Sequence, residues 1–417
     1  MAQSIDPSKV LGYEFPPQKV SYNRRDLILY SLGIGAVEQR FLYEGDENFG
    51  AFPTYPVVLN LKGDSSDIAT FGGNFGSIPG FNINPMMILH GEQAIEQLAP
   101  LPDSGDFLLK AKVVGLYDKG KGAVMVTASD MVDARGKVYC RLTSSIFVRG
   151  AGGFGGDRGP SNNNTYAAPQ RAPDAVEEYT TTPTQALLYR LSGDYNPLHA
   201  DPNMAAMVGF ERPILHGLCF YGVAARAALK HFGGNDPASM KSFSVRFTGS
   251  VLPGETVVTE MWKEGNDIII RQRLKERDVV TISNACMKIN PAGGASAGAP
   301  TSDLKSAAIF DAMKAAIAAR PDILRKVNAV YQFNITKAGN TTSFLVDLKN
   351  APGSVQSPAP SSPSPDCTIT ISDDDYFDMS SGKLNPQQAF LGGKLKVKGN
   401  MMLAQKLGLL QEAASKL

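Results

Sequence analysis

Asp194 and His199 stand five positions apart in the stretch Ser-Gly-Asp-Tyr-Asn-Pro-Leu-His-Ala-Asp-Pro, which runs from Ser192 to Pro202. A carboxylate and an imidazole brought to one point can take a proton from water and return one to carbon. Regular secondary structure cannot hold this stretch: Gly193 interrupts it on one side, and Pro197 lacks a backbone donor and pushes Asn196 out of the helical region. Asp194 and His199 therefore flank a bend and can face one small volume. An Asp bonding its own turn and a His filling a loop would leave the same letters. Further along, Gly217 opens an apolar helix from Leu218 to Leu229, and its amide is one of the unpaired donors of a helix start, suited to a developing oxyanion. A thioester carbonyl held there would be polarised while Asp194 and His199 hold a water, the arrangement for adding water across an activated double bond. The His216 side chain reads as packed or capping, so this chemistry falls to the Gly217 amide.

The elements that must position these groups occur twice. Asp26 to Ala36 begins as a short apolar helix ended by Gly33 and Gly35 and leads to Tyr43-Glu44-Gly45, where Glu44 is either a further acid or an exposed loop carboxylate. Tyr55 to Leu61 reads as a strand, and Gly63 to Gly80 as loop. Strands are expected at Phe107 to Leu116, Gly122 to Val132 and Val138 to Val148, and Gly150 to Asn164 is a linker by composition. In the second half Leu187 to Leu191 aligns with Ile28 to Leu32, and Ile214-Leu215-His216-Gly217 repeats Ile88-Leu89-His90-Gly91. Strands follow again at Lys241 to Phe247, Glu255 to Lys263, Ile268 to Leu274 and Val279 to Ile289. A helix wrapped by an antiparallel sheet, duplicated in one chain, gives an α+β double hot-dog. From Tyr30 to Ile88 is 58 positions and from Tyr189 to Ile214 is 25, so the first copy is expected to carry a 33-residue excess in place of the acid and His. Phe71, Phe75, Ile78 and Phe81 would then line an acyl-binding wall.

A chain of 417 residues exceeds one core, and 43% hydrophobic with 19% charged residues describes a soluble globular protein of two or three domains. A formal net charge of +1, without a basic run, argues against nucleic acid. The four cysteines are far apart and fit buried thiols in a reducing compartment, with neither disulfide nor metal site expected. No apolar stretch reaches membrane-spanning length and no secretory pattern opens the chain, so an intracellular location is expected. The final Ser415, Lys416 and Leu417 form the peroxisomal import tripeptide.

SGDYNPLHADP followed by RPILHGLCFYG resembles the MaoC-like, (R)-specific type 2 enoyl-CoA hydratases, including the hydratase part of multifunctional enzymes of type 2, from about Gly12 to Asn290. The resemblance implies that Asp194, His199 and Glu44 are catalytic. It also implies that Asn196 shapes the site and that His90, Gly91, Lys119, Gly217 and Phe247 contact the CoA ester. Read without it, Lys119 is a solvated hairpin charge, Phe247 a core aromatic and Asn196 a turn residue. Past the small-residue linker PAGGASAGAPT, the segment from Ile369 to Leu407 resembles sterol carrier protein 2-like domains, which implies an apolar lipid tunnel with Gln387 and Gln405 at the pocket. The expected domains are residues 1–153, a degenerate acyl-binding hot-dog repeat; a linker, 154–172; 173–291, the catalytic repeat; a linker, 292–301; and 302–417, the α/β lipid-binding domain. No dinucleotide-binding Gly-x-Gly-x-x-Gly follows a first strand, so no nicotinamide or other cofactor is expected. The implied partners are an acyl-CoA thioester, a lipid or acyl-CoA in the C-terminal domain, the import receptor and a second copy of the chain in a homodimer. The implied function is peroxisomal (R)-specific hydration of trans-2-enoyl-CoA, and a non-enzymatic acyl-CoA carrier is the alternative.

Overall fold

The computed structural model describes residues 5–68, 78–160, 165–290, 304–319, 322–337, 340–357, 365–399 and Leu403. The chain divides into two compact units, Met1–Ala292 and Gly293–Leu417. The first is built on ten strands: β1 (Gln18–Tyr22), β2 (Ile88–Gln97), β3 (Gly105–Asp118), β4 (Gly122–Val132), β5 (Val138–Arg149), β6 (Ala175–Thr180), β7 (Met240–Phe247), β8 (Thr256–Glu264), β9 (Asp267–Leu274) and β10 (Val280–Ile289). They form one sheet in the order β1-β3-β4-β5-β2-β7-β10-β9-β8-β6. Read from its two edges inward, the second half has the order of the first with every number raised by five, so the copies meet at a seam between β2 and β7. Across that seam Glu92, Ala94 and Glu96 face Arg246, Ser244 and Ser242, and Arg246 bonds Glu92 at 2.8 Å.

Helix α1 (Arg24–Gly33) follows β1, α2 (Gln185–Tyr189) follows β6, and α3 (Gly217–Phe232) packs against β7 to β10 of the second half-sheet. A capping box fixes the start of α1, with the Asn23 side chain accepting from the Arg25 and Asp26 amides while the Asp26 carboxylate accepts from the Asn23 amide. Every residue from Leu218 to Leu229 of α3 is buried. A helix apolar all round belongs inside a core, where each large side chain contributes about 1.5–3 kcal/mol. Arg226 is the exception in that run, and its guanidinium pairs with Glu177 of β6 at 3.1 Å. Gly222 is required where the copies touch: a Cβ there would sit 2.4 Å from Ile34 Cγ2. Gly33 closes the same contact, its carbonyl accepting from Gln185 Nε2 at 2.7 Å and from Cys219 Sγ at 3.3 Å.

Three expectations need correction. Tyr55 to Leu61 is not a strand: Tyr55–Val58 is a turn of 3-10 helix continued by α-helix at Leu59–Lys62. Pro56 fits the first turn of a helix, and burial of Tyr55, Val57, Val58 and Leu59 in succession leaves no two-residue alternation. The repeated Ile-Leu-His-Gly letters are not equivalent either, since Ile88 to Gly91 lie in β2 whereas Ile214 to Gly217 lead into α3. Matched by topology, the first copy spans 66 positions from Tyr22 to Ile88 and the second 60 from Thr180 to Met240, so the 33-residue excess disappears. What differs among the described residues is that the second copy carries the sixteen-residue α3, whereas the longest helix of the first copy is the ten-residue α1. Parts of the segment after β5 are tied to both copies. Asp118 accepts from the Gly153 and Gly155 amides at 2.9 Å each, and Tyr166 donates its amide to Asn284 at 2.9 Å. All four cysteines are buried thiols.

In the second unit β11 (Val330–Lys337), β12 (Asn340–Asp347), β13 (Ser354–Gln356), β14 (Cys367–Ser372) and β15 (Leu395–Gly399) form a sheet ordered β13-β12-β11-β14-β15, in which β11 and β14 are parallel. Helices α4 (Ala307–Ala319), α5 (Asp373–Ser380) and α6 (Pro386–Leu391) accompany it. Its core stacks Phe310 on Phe344 at 3.8 Å, with Phe333 and Tyr376 alongside. Among the described residues no helix is long and apolar enough to cross a membrane.

Candidate active site

The bend expected at Asp194 is built by Gly193, whose φ of +130° and lack of a side chain let the chain pass over Lys62 of the first copy. A Cβ at Gly193 would lie 2.5 Å from Lys62 Cβ and 2.8 Å from its Cα. Lys62 cannot yield, because its buried ammonium donates to the Ser21 and Ser65 carbonyls at 2.8 and 2.9 Å. Beyond the bend Asn196 shapes both sides of the turn: its amide donates to Asp194 Oδ1 at 3.2 Å, and its side-chain oxygen accepts from the Leu198 amide at 3.0 Å.

Asp194, His199 and His216 converge, each offering a ligand-type atom within 4.8 Å of the others. His199 Nδ1 donates to the Ile214 carbonyl at 2.8 Å, which leaves Nε2 with its lone pair. His216 Nε2 donates to the Asp194 carbonyl at 3.1 Å, and the two imidazoles stack with centroids 3.7 Å apart. His216 is buried and its side chain makes no cap bond to α3; that it touches both the acid and the base is not foreseeable from its place in the chain. Burial pushes the Asp194 carboxyl up, against the opposing charge of His199 and the Asn196 amide. Burial pulls His199 down, against Asp194 and the Ile214 carbonyl. His216 is held well below the usual histidine value, by burial first and His199 second. This pocket therefore favours uncharged imidazoles, with one of them free to accept a proton.

The Gly217 amide, at the first turn of α3, has no acceptor four residues behind it within the helix. Phe247 lies beside it, 3.5 Å from where a Gly217 Cβ would stand, and the His90 ring packs on Phe247 at 5.1 Å. His90 also bonds Ser144 Oγ through Nε2 at 3.1 Å. Gly217, Phe247, His90 and the adjoining Gly91 thus gather at the seam between copies. Lys119 lies away from them on the turn between β3 and β4, where its ammonium bonds the Arg158 carbonyl. Glu44 is exposed in the turn that follows Phe41 and Leu42, and among the described residues no hydrogen bond or ion pair ties it to Asp194 or His199. Gln387 is exposed on the first turn of α6, and Phe71, Phe75, Gln405 and Ser415 to Leu417 lie outside the described residues.

Burial pulls His90 down to about 4. Its folded value lies below the ordinary value of about 6.5, so its contribution is complete above pH 6.5 and is lost as pH falls toward 4. The neutral His199 and His216 act in the same direction, and the raised Asp194 in the opposite one. Urea midpoints are expected to fall between pH 6.5 and 4, with His90 accounting for at most roughly 3 kcal/mol. His90→Gln should flatten part of that fall, and an unchanged slope would contradict the assignment.

The family models place a MaoC like domain at residues 164–285, an MFE-2 hydratase 2 N-terminal domain at 20–150 and the SCP-2 sterol transfer family at 310–412. Peroxisomal multifunctional enzyme type 2 of Mus musculus is 40% identical over 98% of this chain, which spans 56% of the mouse protein. A probable enoyl-CoA hydratase 2 of Dictyostelium discoideum is 44% identical over 66% of this chain and 93% of its own length. The structure of a MaoC-like dehydratase from Phytophthora capsici superposes with a TM-score of 0.66 at 42% identity, over 70% of this chain and all of that one. The ten-stranded double hot-dog and these matches along it converge: the chain belongs to the MaoC-like enoyl-CoA hydratase 2 family, and joins to that fold a C-terminal domain of the SCP-2 sterol transfer family.

Proposed function

We propose that the first unit adds water to trans-2-enoyl-CoA to give (3R)-3-hydroxyacyl-CoA, in peroxisomal fatty acid β-oxidation. The observation that carries this reading is a neutral His199 whose Nε2 is left with its lone pair, one ring nitrogen lying within 4.8 Å of an Asp194 carboxylate oxygen, in the bend that precedes α3. The thioester oxygen would accept from the Gly217 amide, drawing electrons from the double bond. His199 takes a proton from a water held against Asp194, the hydroxyl adds to Cβ, and the dyad returns one proton to Cα, so that one water is consumed and no charge is left over. The (R) outcome and a further acid role for Glu44 rest on family resemblance; ordinary turnover by Glu44→Gln would remove Glu44 from the account. Loss of the enoyl chromophore on adding crotonyl-CoA or decenoyl-CoA tests the reading against that of a carrier, which would bind without conversion.

The first repeat, 1–153, would hold the acyl chain and the second, 173–291, the chemistry. On one face of the first half-sheet, Phe107, Leu109, Met131 and Leu142 pack into the main core, while Val113, Leu116, Ala123, Met125 and Val148 form a separate cluster with Ile78 and Phe81. Between the two lie the small, half-buried Ala111, Thr127, Ser129 and Ser144, a band that ends on His90. An acyl chain laid in that band would gain up to about 0.8 kcal/mol per buried methylene, so catalytic efficiency should rise from crotonyl-CoA toward decenoyl-CoA. Thr127→Phe is expected to abolish most of this rise while leaving crotonyl-CoA within a few-fold of normal. A rise that survives the substitution would place the chain elsewhere.

The second unit would bind a lipid or acyl-CoA, with Gln387 and Gln405 at its pocket, and the protein would assemble as a homodimer. The import receptor would read Ser415 to Leu417, as the peroxisomal names of the relatives suggest. Deleting the three residues should leave the protein in the cytosol; unchanged import would point to another signal.

A further inference from the structure

The first copy buries an ion pair that the proposed chemistry does not use. Lys62 Nζ lies 3.6 Å from Asp26 Oδ2, and the two side chains keep only 8% and 13% of their surface exposed. Lys62 ends the helical turn Leu59–Lys62, and Asp26 stands in the first turn of α1. An ammonium has three protons, and the Asp26 carboxylate with the Ser21 and Ser65 carbonyls takes all of them. One side chain thus ties together α1, β1 and the segment after Gly63. The same turn is fixed to β1 through its backbone, since the Ser21 amide donates to the Gly63 carbonyl at 3.2 Å and Gln18 Nε2 to the Asn60 carbonyl at 3.0 Å. A buried pair contributes little net stability compared with well-packed apolar side chains, whereas removing one partner strands a charge. What such a pair adds is a fixed position.

That position bears on the residues flanking Asp194. On one side is Gly193, where a Cβ would stand 2.8 Å from Lys62 Cα and 3.0 Å from Lys62 N. On the other is Tyr195, which Asp26 lies close enough to influence. Burial raises the Tyr195 hydroxyl most, the Arg190 guanidinium 5.3 Å over its ring opposes this, and the Asp26 and Asp67 carboxylates add to it. The pair also reaches the bend through the helix that leads into it. α1 packs on α2, with the Gly33 carbonyl accepting from Gln185 at 2.7 Å and the Tyr30 and Tyr189 rings 5.9 Å apart. From α2 the chain passes through the 3-10 turn Arg190–Ser192 into Gly193. Asp194 is therefore held between residues that rest on the Asp26 and Lys62 segments. The two side chains themselves bond Asn23, Ser21, Ser65 and each other, and among the described residues neither bonds His199, His216 or the Gly217 amide.

We propose that Asp26 and Lys62 are positioning residues for the reaction: a buried pair belonging wholly to the first copy holds the bend of the second where Asp194 meets His199. The proposal rests on the hydratase reading above and names what aims its acid. Two full-length variants, Lys62→Met and Asp26→Asn/Lys62→Met, separate this role from one in stability alone. With crotonyl-CoA, Lys62→Met should lower kcat at least about tenfold, since a displacement of about 1 Å can cost up to about 100-fold, while KM should change less than about threefold because the Gly217 amide is untouched. It also strands the Asp26 charge, so its urea midpoint should fall. In the double variant no charge is stranded. There the midpoint should recover most of the loss while kcat stays low, because the bonds to Ser21 and Ser65 remain absent. The chain has four histidines, which provide a readout independent of turnover. With the imidazole carbons labelled, the NMR signals of His199 and His216, stacked 3.7 Å apart, should move in both variants, whereas that of His231 in the last turn of α3 should not. Should Lys62→Met alone fail to fold, the double variant carries the same readouts. A kcat within about threefold of wild type, a kcat that recovers together with the midpoint, or unmoved His199 and His216 signals would overturn the proposal. If the wild type converts no enoyl-CoA, the hydratase reading falls, and the histidine signals alone decide whether the pair sets the bend.

Discussion

Asp194→Asn and His199→Ala are each expected to slow hydration of decenoyl-CoA by at least about two orders of magnitude, the usual contribution of a placed acid or base. Each side chain makes few bonds that the fold depends on, although His199 also stacks on His216. Asp194 is half-buried and its carboxylate accepts one amide, from Asn196, which an Asn side-chain oxygen can also accept. His199 bonds one carbonyl. Folding should be checked by the urea midpoint, since loss of both activity and stability would speak only of collapse. Combined in one chain, the two substitutions should cost little more than either alone, because each removes the same proton relay. Near-normal turnover by either folded variant would remove the dyad from the mechanism. His199 protonates below the ordinary histidine value, so the acid limb of kcat/KM should lie below pH 6.5.

Gly193→Ala should have the second largest effect. It asks an L residue to adopt φ of +130° and to put a carbon 2.5 Å from Lys62 Cβ, next to a backbone held by a buried ammonium. The bend must then shift, and Asp194 with it. A misplacement of about 1 Å can cost up to about 100-fold in rate, so kcat is expected to fall at least tenfold with KM much less affected. Equal turnover with an unchanged urea midpoint would show that the loop position is not set by this contact. Through this contact the acid of the second copy is aimed by the helical turn of the first.

The chemistry was legible where composition forces the backbone. Gly193 and Pro197 announce the bend, and the apolar run after Gly217 announces a buried helix. The long strands β3, β4, β5 and β8 to β10 were legible from β-branched runs closed by turn residues. The edge strand Gln18–Tyr22 was not, because its short QKVSY run offers little apolar pattern. Tyr55 to Leu61 misled because a segment buried on every side loses the period that separates helix from strand. The Ile-Leu-His-Gly copies misled for a different reason. Four identical letters become strand beside β5 and β7 and helix start beneath the second half-sheet, so tertiary packing overrides local preference. Reading the two as equivalent created the false 33-residue excess. His216 reads in sequence only as a packed or capping side chain, because a buried His gives no sign of which backbone carbonyl it will reach.

Wild-type protein, Asp194→Asn and His199→Ala should be incubated with trans-2-decenoyl-CoA, and the configuration and rate of formation of the product determined together. The account predicts (3R)-3-hydroxydecanoyl-CoA from the wild type and formation at least about 100-fold slower from each variant; the (3S) product, no hydration by folded wild-type protein, or near-normal rates from the variants would contradict it.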